Sequence, residues 1–147
     1  MISASEALQR LRDGNFRFVN DEKNNLQSIS RARRAELIDG QSPFAVIVAC
    51  SDSRVPVELV FDQGLGDLFV IRVAGNIVAP SQIGSVEFAA ATLGTKLVVV
   101  LGHSNCGAVD ATLKELSLQQ ETRSSNLRSI VNRIRPAVEA LDNPSLD

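Results

Sequence analysis

The sequence predicts an α/β protein: a parallel β-sheet core with flanking helices and an N-terminal helical arm. Three observations carry this. Apolar runs at Phe44 to Cys50, Leu68 to Val73 and Leu97 to Leu101 are each bounded by Gly or polar residues, as strands buried on both faces of a parallel sheet are. Helix-like spacing separates the runs, giving the strand and helix alternation of a sheet with right-handed crossovers. Residues 1–40 carry no strand signal and read as the arm, which leaves 41–147 as the core.

Ser3 or Ser5 can cap a helix over residues 4–20, with Ala7, Leu8, Leu11, Phe16 and Phe18 apolar and Gly14 a weak point. Asn20 to Asn25 is polar loop, and a second helix runs from Ser30 to Ile38, stopping at Asp39 and Gly40. Gln41 to Pro43 link into the first strand; Asp52 and Arg54 follow it in a loop, and Val55 to Phe61 can form a short helix over the sheet. Gly64 and Gly66 do not make a dinucleotide site, because they precede a strand and the third glycine is missing. Asn76 to Pro80 crosses the sheet into a helix over Ser81 to Gly94, with Ile83, Val86, Phe88, Ala89 and Leu93 expected inward. The third strand delivers His103, and Cys106 opens a helix to about Gln120. Glu121 to Asn126 breaks the pattern. Leu127, Ile130, Val131, Ile134, Val138 and Leu141 then form one helical stripe, read as packing on the sheet or on a partner.

With 147 residues the chain is one domain's length, and 44% hydrophobic with 22% charged residues is ordinary for a soluble globular protein. A net charge of -2 gives no electrostatic reason to expect nucleic acid or an anionic membrane as partner. The Arg31 to Arg34 cluster reads as a solvated helix face. No apolar segment approaches the roughly twenty residues of a membrane span. Met1 to Leu11 lacks the basic and apolar regions of a signal peptide, so a cytoplasmic location is expected unless a targeting segment preceded Met1.

The two cysteines each stand at a strand end beside Asp or His, which points to metal ligation over a disulfide. Cys50, Asp52, His103 and Cys106 together make a full ligand set for one zinc ion, at the strand ends where parallel sheets carry their chemistry. The fourth position is the open question. Asp52 on the metal closes the site, whereas Asp52 paired with Arg54 leaves a position for water, and a guanidinium offers a carboxylate a bidentate fork. At a helix N-terminus the Cys106 thiolate gains from the dipole, and Gly107 leaves a backbone amide free for an anionic product.

CSDSR at Cys50 to Arg54, GDLFVIRVAGN at Gly66 to Asn76 and GHSNCGAV at Gly102 to Val109 resemble the β-class carbonic anhydrases, a resemblance running from the arm to about Leu113. It implies a zinc enzyme with Cys50, His103 and Cys106 as ligands and Asp52 with Arg54 as the dyad at the fourth position. By the same resemblance Gln41 hydrogen-bonds substrate or bicarbonate, and Phe69 and Ala74 line an apolar carbon dioxide pocket. Ala74 is smaller than the usual Val, and Phe88 stands where many relatives carry Tyr. The resemblance further implies a homodimer or higher homo-oligomer, with the site at the interface and the arm embracing the partner. With no Trp or Tyr in the chain, the bicarbonate pocket that locks one subgroup cannot be built from its usual residues, so the open form is expected. Family members continue to a further strand and helices. The core at 41–147 is therefore expected to lack the family's C-terminal segment and to leave a sheet edge exposed.

The expected function is zinc-dependent reversible hydration of carbon dioxide to bicarbonate and a proton, by attack of zinc-bound hydroxide. His103 is the sole histidine and, as a ligand, cannot shuttle protons, so turnover should depend on buffer. One alternative is a carbonyl sulfide or carbon disulfide hydrolase on the same scaffold. Another is a non-catalytic zinc protein, or an inactive shortened form, with Asp52 closing a structural site; Arg54 argues against it, since such a site needs no competing partner for Asp52.

Overall fold

A computed structural model of the chain describes residues 1–22, 30–118 and 124–141. Three parallel strands, β1 (Ala45–Ala49), β2 (Leu68–Arg72) and β3 (Val98–Leu101), form a sheet in the order β2-β1-β3. Among the described residues six α-helices accompany them: α1 (Ala4–Val19), α2 (Arg31–Glu36), α3 (Val57–Val60), α4 (Pro80–Ala91), α5 (Gly107–Leu118) and α6 (Ser125–Leu141). Parts of the expected Asn20 to Asn25 loop and Glu121 to Asn126 break, the last expected turn of α5 and the tail of the core from 142 on lie outside the described residues.

The central strand is the most buried element, as its unbroken apolar run requires. Ala45, Ile47 and Ala49 turn to one face and pack with Leu11, Val57, Phe61 and Leu68. Val46 and Val48 turn to the other and meet Ile71 and Ala89, with Phe69, Val86 and Leu93 around them. The outer strand departs from expectation. β3 pairs Val98 with Val46 and Val100 with Val48, so both valines share the α4 face, yet they are 43% and 67% exposed. β3 is left open on that face, because α4 packs over β1 and β2.

Within α4, Ala89 is fully buried while Ile83 and Phe88, expected inward, are about half exposed. A helix over so small a sheet buries a narrow stripe. The same holds at α6, where Val131, Ile134 and Val138 are buried but Leu127 and Leu141 at the ends of the stripe are exposed. The stripe packs against α5 and the turn at Ala74–Asn76.

Ser3 caps α1 through a reciprocal box: its Oγ accepts from the Glu6 amide at 3.2 Å, and Glu6 Oε2 accepts from the Ser3 amide at 2.7 Å. Ala7, Leu11 and Gly14 form its buried stripe, whereas Leu8 and Phe16 are exposed. Gly14 does not weaken the helix here. A Cβ at this position would lie 1.8 Å from the Phe61 carbonyl oxygen, so the glycine lets α1 close onto the core. Polar ties complete the joint. Arg17 pairs with buried Asp62, Arg10 Nε donates to Gln63 Oε1 at 3.0 Å, and Asn15 Nδ2 donates to the Val60 carbonyl at 3.0 Å.

Among the described residues no helix is long and apolar enough to cross a membrane.

Candidate metal centre

Parallel pairing sets the carboxyl ends of the strands side by side: Ala49 is in register with Leu101 and with Arg72. The residues that follow, Cys50 after β1 and His103 to Cys106 after β3, therefore converge. One donor atom from each of Cys50, His103 and Cys106 lies within 4.8 Å of the others, and the two sulfurs are 3.9 Å apart. His103 Nδ1 is 2.9 Å from the Ser104 carbonyl oxygen, an atom that can only accept, so Nδ1 carries the ring proton. That leaves Nε2 as the ring's ligand atom, and it is buried without a hydrogen-bond partner. A buried imidazole nitrogen beside two thiols is costly unless something binds it. Two sulfurs and one imidazole are the soft and borderline donors that suit zinc, so the residues present fit that ion.

The electrostatics favour the ligating thiolate of Cys50 and, in the metal-free chain, the protonated ring of His103, whose added proton a metal must displace. Burial pushes the Cys50 thiol up, but His103, the amides of Asp52 and Gly75 and the Cys106 thiol outweigh it and bring the group down to about 7. The neighbouring Cys50 sulfur raises the His103 pKa from its usual value against the opposing effect of burial.

Asp52 stands outside the three-ligand group. One of its oxygens, Oδ1, accepts from the Arg54 amide and from Arg54 Nε, both at 2.9 Å, and Oδ2 accepts from Nη2 at 2.7 Å. These hydrogen bonds hold the Asp52 carboxyl well below the usual carboxylate range. Its Oδ2 is 3.9 Å from His103 Nε2, at the edge of the centre. Arg54 Nη2 also donates to the Asn105 carbonyl at 2.8 Å, tying the two ligand-bearing loops together. Three protein ligands, with the nearby carboxylate engaged elsewhere, is the arrangement of a site that keeps a position open.

Two residues escaped the sequence reading. Arg72, the last residue of β2, donates from Nε to the Cys50 carbonyl at 2.8 Å and from Nη2 to the Asp52 carbonyl at 2.5 Å. A single arginine ending an apolar strand was the available signal. Gly75 adopts φ +69°, and its amide approaches Cys50. A Cβ there would come within 2.5 Å of Ile134 Cδ1 and 3.0 Å of Ala108 Cβ, so α5 and α6 close over the centre's margin.

The expected substrate-pocket residues divide. Ala74 follows β2 at the metal end, and Gly107 opens α5 directly after Cys106 with open space where a Cβ would stand. Phe69 pairs with Val46, four residues before Cys50 and so about 13 Å back along the strand. Its ring lies 6.2 Å from that of Phe88. Gln41 precedes β1 and lines an open cleft of about 440 Å³ with Arg34, Leu37, Gly40, Leu65 and Gly66, at the opposite end of the sheet from Cys50.

A family model described as carbonic anhydrase matches residues 45–146. The chain is 46% identical over 132 residues to a carbonic anhydrase of Mycolicibacterium smegmatis, covering 90% of this chain and 63% of that protein. Carbonic anhydrase 2 of Mycobacterium tuberculosis is 44% identical with the same coverage, so the chain spans less than two thirds of the length of these relatives. Among solved structures, the β-carbonic anhydrase CcaA superposes with a TM-score of 0.65 at 34% identity, over 94% of this chain and 68% of that one. A tetrameric β-carbonic anhydrase from the ascomycete Sordaria macrospora gives 0.62 at 30% identity, over 74% and 56%. The parallel sheet, the Cys50, His103 and Cys106 cluster at its carboxyl end and these likenesses agree: the chain belongs to the carbonic anhydrase family and has the fold of its β class.

Proposed function

We propose that the protein catalyses the reversible hydration of carbon dioxide to bicarbonate and a proton, with zinc held by Cys50, His103 and Cys106. The observation that carries this reading is the withdrawal of Asp52 onto Arg54, which leaves three ligands in a chain of this family. When bound, zinc acidifies water and so supplies the nucleophile at neutral pH. Asp52, kept ionised by Arg54, can only accept a hydrogen bond, so it orients the nucleophile and turns its remaining proton away from carbon dioxide. Ala74 forms part of the apolar wall and the Gly107 amide stabilises the anionic product. The Asp52 and Arg54 pairing supports the open form expected for a chain without Trp or Tyr.

The working unit in this reading is a homodimer or a larger homo-oligomer, acting in the cytoplasm. Gln41 and Phe69 lie too far from Cys50 to serve their own chain's centre, and a second copy would present its own pair to it. Phe88, Ile83, Val98 and Val100 are the exposed apolar residues on the side of the sheet available to that copy. The outer face of α1, with Leu8, Phe16 and Val19, is the part of the arm proposed to embrace the partner.

Asp52→Asn tests the reading. Hydration should fall by about 100-fold or more, the scale of a lost acid-base or orienting group, while one zinc per chain is retained. Native rates in this variant would refute it. Mixing Gln41→Ala chains with Asp52→Asn chains should restore about a quarter of native activity if each site draws on two copies, and none if it does not. Running carbonyl sulfide and carbon disulfide beside carbon dioxide separates the hydrolase alternative.

A further inference from the structure

We propose that Arg72 is a positioning residue for the metal loop, its guanidinium fixing the peptide carbonyls of Cys50 and Asp52 at once. The proposal rests on reading Cys50, His103 and Cys106 as zinc ligands. The loop from Cys50 to Arg54 leaves the sheet after Ala49, and the backbone ladder follows it only as far as Ser51, whose amide donates to the Val73 carbonyl at 3.3 Å. Beyond that point the loop must hold both a ligand and the carboxylate that stays off the metal. Arg72 is in register with Ala49, which sets its side chain directly beside the departing loop. Nε donates to the Cys50 carbonyl at 2.8 Å and Nη2 to the Asp52 carbonyl at 2.5 Å, while the Asp52 carbonyl also accepts from the Val55 amide at 3.2 Å.

A planar fork with divergent donors fits two acceptors two residues apart, and it stays charged throughout the working pH range. Lysine can reach the same place only as a rotatable point charge. The two arginines of the centre thus divide the work: Arg54 binds the Asp52 side chain and the Asn105 carbonyl, and Arg72 binds the main chain beneath Cys50 and Asp52. Groups that orient a metal's ligands typically contribute 10- to 100-fold to metal affinity or activity. The hydrogen bonds of Arg72 go to main-chain carbonyls and to no ligand atom, so its effect is transmitted through backbone placement.

Arg72→Gln and Arg72→Lys, made in the full chain, test this. Cobalt(II) replaces zinc as a coloured probe, read by its visible absorption and by titration, with the thermal midpoint of the metal-free protein and the split between kcat and KM measured alongside. Both variants should keep the native metal-free midpoint, shift the cobalt spectrum and bind cobalt about 10- to 100-fold more weakly. In any variant that turns over carbon dioxide, kcat should drop with KM unchanged. A native spectrum and affinity in both variants would overturn the proposal. So would full recovery in Arg72→Lys, since charge alone would then suffice. Should Arg72→Gln fail to fold, Arg72→Lys keeps the charge and the buried stem and decides the matter. A native chain that binds one cobalt but hydrates no carbon dioxide defeats the functional reading and leaves the Arg72 measurement standing.

Discussion

Gly75→Ala places a methyl group where the structure has no room and the backbone favours none. At φ +69° and ψ 14° the residue is in the left-handed region, which penalises an L side chain by about 1–2 kcal/mol. The new Cβ would sit 2.5 Å from Ile134 Cδ1 and 3.0 Å from Ala108 Cβ, so Ile134 must shift, an overpacking that adds about 1–3 kcal/mol. Together these come to about 2–5 kcal/mol, which for a chain of this size lowers the thermal midpoint by roughly 10 °C. Ile134 is 7% exposed, and Ile134→Ala alone should destabilise by about 2–5 kcal/mol. Combining the two removes the methyl group that the introduced side chain would strike, so the double variant should be more stable than the sum of the singles predicts, by about 1–3 kcal/mol. Urea unfolding of the four metal-free proteins measures the cycle. Additivity within about 0.5 kcal/mol would refute the claim that α6 presses on this turn. The Gly75 amide approaches Cys50, so Gly75→Ala should also weaken metal binding, and titration of the same samples checks that.

Ser3→Ala removes one half of the capping box that starts α1 and should lower stability by about 1 kcal/mol, read from the urea midpoint, without changing zinc content. The Cys50 thiol, at about 7 in the folded chain against an ordinary 9.0, gives a signed pH dependence. A group whose folded pKa is lowered stabilises fully above its unfolded value and loses that contribution as pH falls through the folded value. Cys50 therefore adds stability to the metal-free chain as pH rises from 7 to 9, the raised His103 pKa takes part of it away as pH rises through that group, and Cys50→Ser should remove the rising component. Zinc competes with the same proton, so uptake should weaken as pH falls below about 7. A pH-independent zinc affinity between 6 and 8 would contradict the thiolate assignment.

Much of the fold was legible because its signals are local. Each strand is an apolar run, and the caps at Ser3 and Ser30 sit where a hydroxyl can reach the first free amides. What failed to show depends on residues distant in the chain. Gly14 reads as a weak point in a helix until the Phe61 carbonyl is set against it. Val98 and Val100 read as buried because nothing in the run VVVL says that α4 leaves β3 open. The ligand triad was legible, since Cys and His at strand ends have few other uses. Whether the metal or Arg54 would take the Asp52 carboxylate was not, because either partner satisfies it; the structure pairs it with Arg54. Arg72 was overlooked because its partners are main-chain carbonyls, which leave no mark on side-chain identity.

The measurement that bears most directly on the central claim is the stopped-flow rate of carbon dioxide hydration, taken with zinc content per chain on one sample before and after chelation and zinc return. A rate that tracks zinc up to one ion per chain, disappears on chelation, returns with the metal and rises with buffer concentration is the predicted result, the last because the sole histidine is a ligand. One zinc per chain without hydration would contradict it and leave Cys50, His103 and Cys106 as a structural centre.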